Sequence, residues 1–210
     1  MSESKKISIG IIMIGDSKVG KTTLMKRFID GNYYEGLPRT CGVEVYKKDI
    51  IINNKGYLYK IWDTCGQERF RSLTKSYFQN ADGIMLLFDL NNIESFNNLK
   101  NWFDSINECN KDDVPLVIVG TKSDLECKIS DQLINKLEND RYKNKELKVF
   151  KCSAKNNCGV AEPFMDLAEK IICSINSGKG DKHSGRKVKI TKGGNGKNKK
   201  NKEEKKKCCH

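Results

Sequence analysis

The sequence predicts an α/β fold: a six-stranded, mostly parallel sheet with helices on both faces, followed by a disordered C-terminal tail. Apolar, β-branched runs of strand length recur along the chain, and stretches with helical spacing of apolar residues separate most of them. Strands that alternate with helices are typical of a parallel sheet covered on both faces. The strand-like runs are residues 7–14, 43–52, 57–62, 83–89, 114–120 and 148–153.

The connections between these runs support the same architecture. Residues 53–56, Asn-Asn-Lys-Gly, are a turn signal and predict that the second and third strands form a hairpin. A helix is expected over residues 22–30, directly after the first strand. Two later stretches carry apolar residues at helical spacing, most of which should lie in the core: Phe96, Leu99, Phe103 and Ile106 in one, and Phe164, Leu167, Ala168, Ile171 and Ile172 in the other.

Length and composition predict a single domain in the cytosol. The 210 residues suit one domain, and no apolar run approaches the roughly 18 residues that span a bilayer. The N-terminal residues lack the apolar segment of a secretory signal, and Ser2 in place of glycine excludes N-myristoylation. Nine scattered cysteines without a CxxC pattern favour reduced thiols over disulfides or a zinc site.

The positive charge is concentrated at the C-terminal end. The net charge is +12, and residues 178–210 contain 12 Lys and one Arg against one Asp and two Glu. This segment has too few apolar residues to bury a core, so we expect it to be disordered. The predicted organisation is therefore a globular domain over residues 1–177 and a polybasic tail over residues 178–210.

The run from Gly15 to Thr22 has the spacing of a phosphate-binding loop: Gly, four residues, then Gly-Lys-Thr, after an apolar strand. Glycines let successive N–H groups point at phosphate oxygens, while Lys21 reaches the β and γ phosphates and the Thr22 hydroxyl ligates Mg²⁺. The helix that follows adds the positive end of its dipole. The candidate phosphate-binding residues here are Gly15, Ser17, Lys18, Val19, Gly20, Lys21, Thr22 and Thr23.

A second motif follows the third strand and supplies groups for hydrolysis. Asp63 can hold Mg²⁺ through water, the Gly66 N–H can sense a γ-phosphate, and Gln67 can orient an attacking water. Gln67 is the candidate catalytic residue.

Two further motifs at strand ends favour guanine over adenine. The Asp124 carboxylate can accept hydrogen bonds from guanine N1–H and the 2-amino group, which adenine does not present together. The Ala154 N–H can donate to guanine O6, and the aliphatic stem of Lys122 can lie along the base. The candidate guanine-binding residues in these motifs are Thr121, Lys122, Asp124, Ser153, Ala154 and Lys155.

With these four motifs in order, residues 7–176 resemble the Ras superfamily of small GTPases. Segments 59–62, 69–74, 77–81 and 86–89 look like signatures of its Rab branch. The resemblance implies a GDP/GTP switch with slow Mg²⁺-dependent hydrolysis, regulating vesicle traffic through effectors, an exchange factor and an activating protein. It also implies a monomer.

The resemblance assigns roles to further residues. Thr40 would meet Mg²⁺ and the γ-phosphate only in the GTP state, and Tyr33 would pack on the base. The switch segments would be residues 34–45 and 64–80, released when the γ-phosphate is lost. The effector surface would include Val43, Val45, Trp62 and Tyr77.

Some residues depart from the family pattern. Lys18 replaces a small residue, and a lysine there adds strain if the backbone needs a positive φ. Cys65 and Thr121 replace alanine and asparagine, and Val45 replaces an aromatic residue that effectors use. Lys18, Cys65 and Val45 leave open a nucleotide-holding adaptor without useful turnover; a Ras- or Rho-type signalling GTPase is the other alternative.

Cys208 and Cys209, close to the carboxyl terminus, resemble the double geranylgeranylation site of Rab proteins. Two lipid chains plus a polybasic segment meet the two-signal requirement for stable anchoring. We therefore expect attachment to the cytoplasmic face of an intracellular or plasma membrane, with a cytosolic pool kept by a prenyl-binding extraction protein. The tail lacks interleaved aromatic residues, so nucleic acid is not an expected partner.

Overall fold

A computed structural model describes residues 6–65, 78, 80–109, 114–139 and 147–177. Within these residues, six strands form one sheet, which confirms the predicted fold class. The strands are β1 (Ile7–Gly15), β2 (Val43–Ile52), β3 (Lys55–Thr64), β4 (Gly83–Asp89), β5 (Leu116–Thr121) and β6 (Val149–Lys151). Their spatial order is β2-β3-β1-β4-β5-β6. The β2–β3 pair is antiparallel and every other pair is parallel.

Helices cover both faces of the sheet, as predicted. The described helices are α1 (Lys21–Asp30), α2 (Ile93–Asn97), α3 (Leu99–Glu108), α4 (Asp131–Asn139) and α5 (Ala161–Asn176). One hydrophobic cluster joins α1 and α5 to one face, and a second joins α3 and α4 to the other. No described helix combines the length and apolar character needed to cross a bilayer.

The strand bounds differ from the prediction where pairing partners extend or shorten a strand. β3 begins two residues before and ends two residues after the predicted run 57–62, because its ladder with β2 continues from Ile52 opposite Lys55 to Val43 opposite Thr64. The hairpin turn therefore contains only Asn53 and Asn54, with φ of 50° and 60°. β6 is three residues long, not six, and β5 is its partner among the described strands.

The topology brings the predicted motifs to one edge of the sheet. β1, β4, β5 and β6 run parallel, so their carboxyl ends lie together. The phosphate loop follows β1, and the segments beginning at Lys122 and Cys152 follow β5 and β6. This edge is where ligands bind in open α/β sheets.

Candidate functional site

A cavity of about 270 Å³ lies between the phosphate loop, residues 15–22, and the first switch segment. Within the described part of the chain, the charged residues that line it are all cations: Lys18, Lys21, Arg39 and Lys122. This charge suits a polyanion such as a nucleotide triphosphate. The remaining lining residues are Ser17, Gly20, Thr22, Thr23, Tyr33, Tyr34, Gly36, Leu37, Pro38, Thr40 and Thr64.

The backbone of the phosphate loop needs glycine at two positions and tolerates a lysine at a third. Gly15 has φ of 138°, and a Cβ there would lie 2.2 Å from the Leu87 carbonyl oxygen. Gly20 has φ of 94° and stands directly before α1. Lys18 has φ of 66°, in the left-handed region that disfavours residues with a Cβ. The strain expected at Lys18 therefore follows from its backbone geometry.

Lys21 is buried at the base of the cavity, at the start of α1. Its Nζ donates to the carbonyl oxygens of Gly15 and Asp16, both at 2.9 Å. Burial disfavours the ammonium and lowers the pKa of Lys21 to about 8, although Asp63 and Asp16 act in the opposite direction. An arriving phosphate would supply the negative charge that favours the protonated form.

Three oxygen-bearing side chains, predicted from distant parts of the sequence as metal ligands, lie together beside Lys21. The Thr22 hydroxyl oxygen is 2.7 Å from that of Thr40 and donates to Asp63 Oδ2 at 2.6 Å. The Thr40 hydroxyl oxygen is 3.4 Å from the same carboxylate oxygen. The structure thus joins the end of β3, the start of α1 and the first switch segment at one point.

The chemistry of this cluster fits a divalent cation. Asp63 is fully buried, and its Oδ1 has no hydrogen-bond partner among the described residues. Burial raises the pKa of Asp63, while the hydrogen bond from Thr22 and the charge of Lys21 oppose the shift. Hydroxyl and carboxylate oxygens are ligands that Mg²⁺ accepts, with substrate phosphates and water completing its shell.

The segment predicted to recognise guanine is held by Ser153. Its hydroxyl donates to Asp124 Oδ1 at 2.6 Å, and Ser153 is only 1 % exposed. Ser153 and Cys158 exchange backbone hydrogen bonds of 2.8 and 3.0 Å, which close the loop that carries Ala154 and Lys155. The geometry orients one Asp124 oxygen and brings the two predicted base-binding motifs into contact.

Thr121 connects this base-side region to the phosphate loop. It is buried at the end of β5, and its hydroxyl oxygen lies 2.5 Å from the Val19 carbonyl oxygen and 3.0 Å from that of Phe88. The neighbouring Lys122 pairs its Nζ with Asp89 Oδ2 at 2.6 Å. Threonine in place of asparagine therefore still ties β5 to the loop that faces the phosphates.

Three of the four predicted effector residues, Val43, Val45 and Trp62, lie on the β2–β3 hairpin. Val45 is 49 % exposed and stands opposite the half-buried Trp62, which packs on the second hydrophobic cluster. A Cβ on Gly10 would lie 2.5 Å from the Trp62 ring, so that glycine provides the space for the indole. Val43 is half-buried, and Tyr33 is 38 % exposed at the rim of the cavity.

Several predicted residues lie outside the described part of the chain. These are Gly66, Gln67, Tyr77, Cys208 and Cys209, together with most of the second switch segment and the whole tail. Their roles stay predictions. Among residues 121–124 and 153–155, only Lys122 lines the cavity.

Sequence reasoning missed the side chains that support the phosphate loop. Asp16 accepts hydrogen bonds from Asn98 Nδ2 and Trp102 Nε1, both at 2.8 Å. Arg27, which contacts the loop of the base-binding motif, was not predicted either. Its guanidinium donates to the Lys155 carbonyl oxygen at 3.3 Å. An acid inside a phosphate-binding loop was the available signal, because such a charge needs partners that turn it away from the ligand.

Comparison with known proteins agrees with this geometry. The Ras family model matches residues 10–173. The chain is 38 % identical over 173 residues to Ras-related protein SEC4 of Saccharomyces cerevisiae, covering 80 % of this chain and 77 % of that protein. It is 38 % identical over 186 residues to human Ras-related protein Rab-8B, covering 86 % and 88 %. Ras-related protein RabH of Dictyostelium discoideum is 36 % identical over 170 residues, covering 81 % and 84 %.

The fraction of the chain that these matches cover and their sequence identity confirm the resemblance that the motifs indicated. The chain belongs to the Ras family and is a Rab-like small GTPase of vesicle traffic, an enzyme that hydrolyses GTP to GDP.

Proposed function

We propose that the cavity binds GTP with Mg²⁺, and that the Thr22, Thr40 and Asp63 oxygens hold the ion. The observation that carries this proposal is the contact between these three side chains beside the buried Lys21. When bound, Mg²⁺ would neutralise part of the phosphate charge. The backbone N–H groups of the phosphate loop, the Lys21 ammonium and the start of α1 would bind the phosphates.

Asp124, whose carboxylate accepts a hydrogen bond from Ser153, would recognise the base outside the cavity. Asp124 accepts from guanine N1–H and the 2-amino group, and the Ala154 N–H donates to O6. Tyr33 and the stem of Lys122 cover the ring faces. The Ser153–Asp124 contact of 2.6 Å supports this assignment because it restricts rotation of the carboxylate.

Hydrolysis would use Gln67 to orient water for in-line attack on the γ-phosphate. The Gly66 and Thr40 N–H groups would bind the γ-phosphate and distinguish GTP from GDP. Within the first switch segment, Thr40 contacts the site through its hydroxyl, 2.7 Å from that of Thr22. Loss of the γ-phosphate would therefore release that segment and change the surface seen by effectors.

We also propose a membrane-bound monomer attached through geranylgeranyl groups on Cys208 and Cys209, with the polybasic residues 178–210 as a tether. Val43, Val45, Trp62 and Tyr77 would form the effector surface. An exchange factor, an activating protein and a prenyl-binding extraction protein would act on it. The adaptor and the Ras- or Rho-type alternatives are not favoured, because the relatives carry Rab and SEC4 names.

The first experiment loads the purified full-length chain with GTP and Mg²⁺ and follows conversion to GDP in a single turnover. We expect slow conversion that falls sharply in Gln67→Leu, and weaker nucleotide binding in Thr22→Ala when Mg²⁺ is present but not when it is chelated. Stable GTP in both wild type and Gln67→Leu would contradict the catalytic assignment. Failure to hold guanine nucleotide would contradict the site.

The tail needs its own test in cells. Wild type and the double variant Cys208→Ser/Cys209→Ser are compared by membrane fractionation, with the exposed Cys173→Ser as the control. We expect only the double variant to leave the membrane pellet. Persistence of the double variant in the pellet would refute the lipid anchor.

A further inference from the structure

The phosphate loop carries a carboxylate that does not face the cavity. Asp16 follows Gly15, and its neighbours Ser17 and Lys18 line the cavity, whereas Asp16 does not. A free carboxylate on this loop would repel the nucleotide phosphates. Something must therefore hold the Asp16 side chain on the far side of the loop.

The holding contacts come from the start of α3. Trp102 Nε1 donates to Asp16 Oδ1 and Asn98 Nδ2 donates to Asp16 Oδ2, each at 2.8 Å. Trp102 is only 6 % exposed and its ring packs in the second hydrophobic cluster. Each carboxylate oxygen thus has a donor of its own, and one donor is fixed in the core.

The same residue also supports the phosphate-binding lysine. The backbone carbonyl oxygen of Asp16 accepts from Lys21 Nζ at 2.9 Å, so a movement of Asp16 displaces a partner of the ammonium. On the other side of the loop, Thr121 holds the Val19 carbonyl oxygen. The loop between these two fixed points contains Lys18 with its unfavourable positive φ, which makes outside support more important.

We propose that Trp102 and Asn98 are positioning residues that act through Asp16 to hold the phosphate loop in its binding geometry and so slow nucleotide release. This inference rests on the proposed nucleotide site. It adds a function for α3, which contacts the loop from outside the cavity. The two donors need no contact with the nucleotide itself.

The proposal predicts how release should depend on the bound nucleotide. The phosphate loop contacts the phosphates that GDP and GTP share, so weakening it should accelerate release of both to the same degree. A residue of the switch segments would instead affect the GTP state selectively, because those segments sense the γ-phosphate.

The test measures dissociation of a fluorescent GDP and of a fluorescent non-hydrolysable GTP analogue from the full-length protein. Trp102→Phe keeps most of the packing and removes the N–H, so we expect both rates to rise about tenfold, the effect of losing roughly one charge-assisted hydrogen bond. Asn98→Ala should act in the same direction. The Asn98 side chain makes no capping hydrogen bond to the α3 backbone, and its remaining contact is a long, exposed one of 3.4 Å from Asn101 Nδ2, so this variant tests the Asp16 contact even if Trp102→Phe folds poorly.

A double-mutant cycle separates positioning from general loosening. Asp16→Ala should accelerate release on its own, and Trp102→Phe should add nothing in that background. The control is Ile106→Val, which weakens packing of the same helix without touching Asp16 and should leave both rates within about twofold of wild type. Additive effects of Trp102→Phe and Asp16→Ala, or unchanged rates in both Trp102→Phe and Asn98→Ala, would overturn the proposal. If wild type itself retains no guanine nucleotide, the proposed function fails instead.

Discussion

Substitution of Asp124 should remove the preference for guanine while leaving phosphate binding intact. In the proposed pose, its carboxylate accepts two hydrogen bonds from guanine, one from N1–H and one from the 2-amino group. Inosine keeps N1–H and O6 but lacks the 2-amino group. The ratio of GTP to ITP affinity therefore measures one charge-assisted hydrogen bond.

The magnitude follows from that single bond. A hydrogen bond to a charged group contributes about 1.5–3 kcal/mol, and each 1.4 kcal/mol is about tenfold in affinity. Wild type should therefore prefer GTP over ITP by about 10- to 150-fold, and Asp124→Ala should bring this ratio close to one. Ser153→Ala should give an intermediate ratio, because the carboxylate loses its 2.6 Å donor but keeps its charge.

The assay is competition of GTP and ITP against a fluorescent GDP on the full-length protein. Glu126→Ala serves as the matched control, since it removes an exposed carboxylate two residues further along the same segment. The control should keep the wild-type ratio. A preference retained in Asp124→Ala would refute the assignment of this carboxylate to the base.

Three further predictions concern charge, stability and pH. Lys18→Gly should weaken GTP binding several-fold at low ionic strength, and the deficit measured by titration should shrink in about 0.5 M salt, because an exposed cation is screened. Tyr59→Phe removes a buried hydrogen bond of 3.0 Å to the Phe164 carbonyl oxygen and should lower the melting temperature by about 2–4 °C, for a loss of roughly 1 kcal/mol. Burial raises the pKa of Cys152 from 9.0 to about 12, so the thiol of the unfolded chain loses its proton at a lower pH than that of the folded chain. The contribution of the Cys152 thiol to the free energy of unfolding is therefore complete below pH 9 and falls as the pH rises from 9 towards 12. Denaturant unfolding should therefore show the free-energy difference between wild type and Cys152→Ala changing by about 1.4 kcal/mol per pH unit in that window, and a constant difference would contradict the assignment.

Most of the residues expected to face the nucleotide could be found from the sequence because they belong to local motifs at strand ends. Thr22 and Asp63 are recognisable from their neighbours, and parallel strands bring their carboxyl ends to one edge. Thr40 came only from the family resemblance, since nothing local marks it. Its place beside Thr22 depends on how the whole first switch segment crosses the site.

The supporting contacts could not be found in the same way. Trp102 and Asp16 are 86 positions apart, and an indole within an apolar helical face has an adequate explanation as a core residue. The predicted bounds of β3 were wrong for a different reason. Lys55 is polar and follows a turn signal, yet pairing with Ile52 makes it part of β3. The first error arises where a partner far away in the sequence determines the structure, and the second where pairing across a hairpin outweighs the polar character of a residue.

The departures from the family pattern lie where they alter affinity or recognition more than chemistry. Thr121 still reaches the Val19 carbonyl oxygen, so the link to the phosphate loop survives the loss of asparagine. Cys65 is buried and its N–H donates to the Gly42 carbonyl oxygen at 3.0 Å, so its backbone joins the two switch segments. Val45 is 49 % exposed on β2, opposite Trp62 in the ladder with β3. Replacing an aromatic residue there changes what a partner meets without touching the groups that bind phosphate. We therefore expect this chain to differ from its relatives in which effectors it binds, while Thr22, Thr40 and Asp63 retain the side-chain oxygens that nucleotide binding needs.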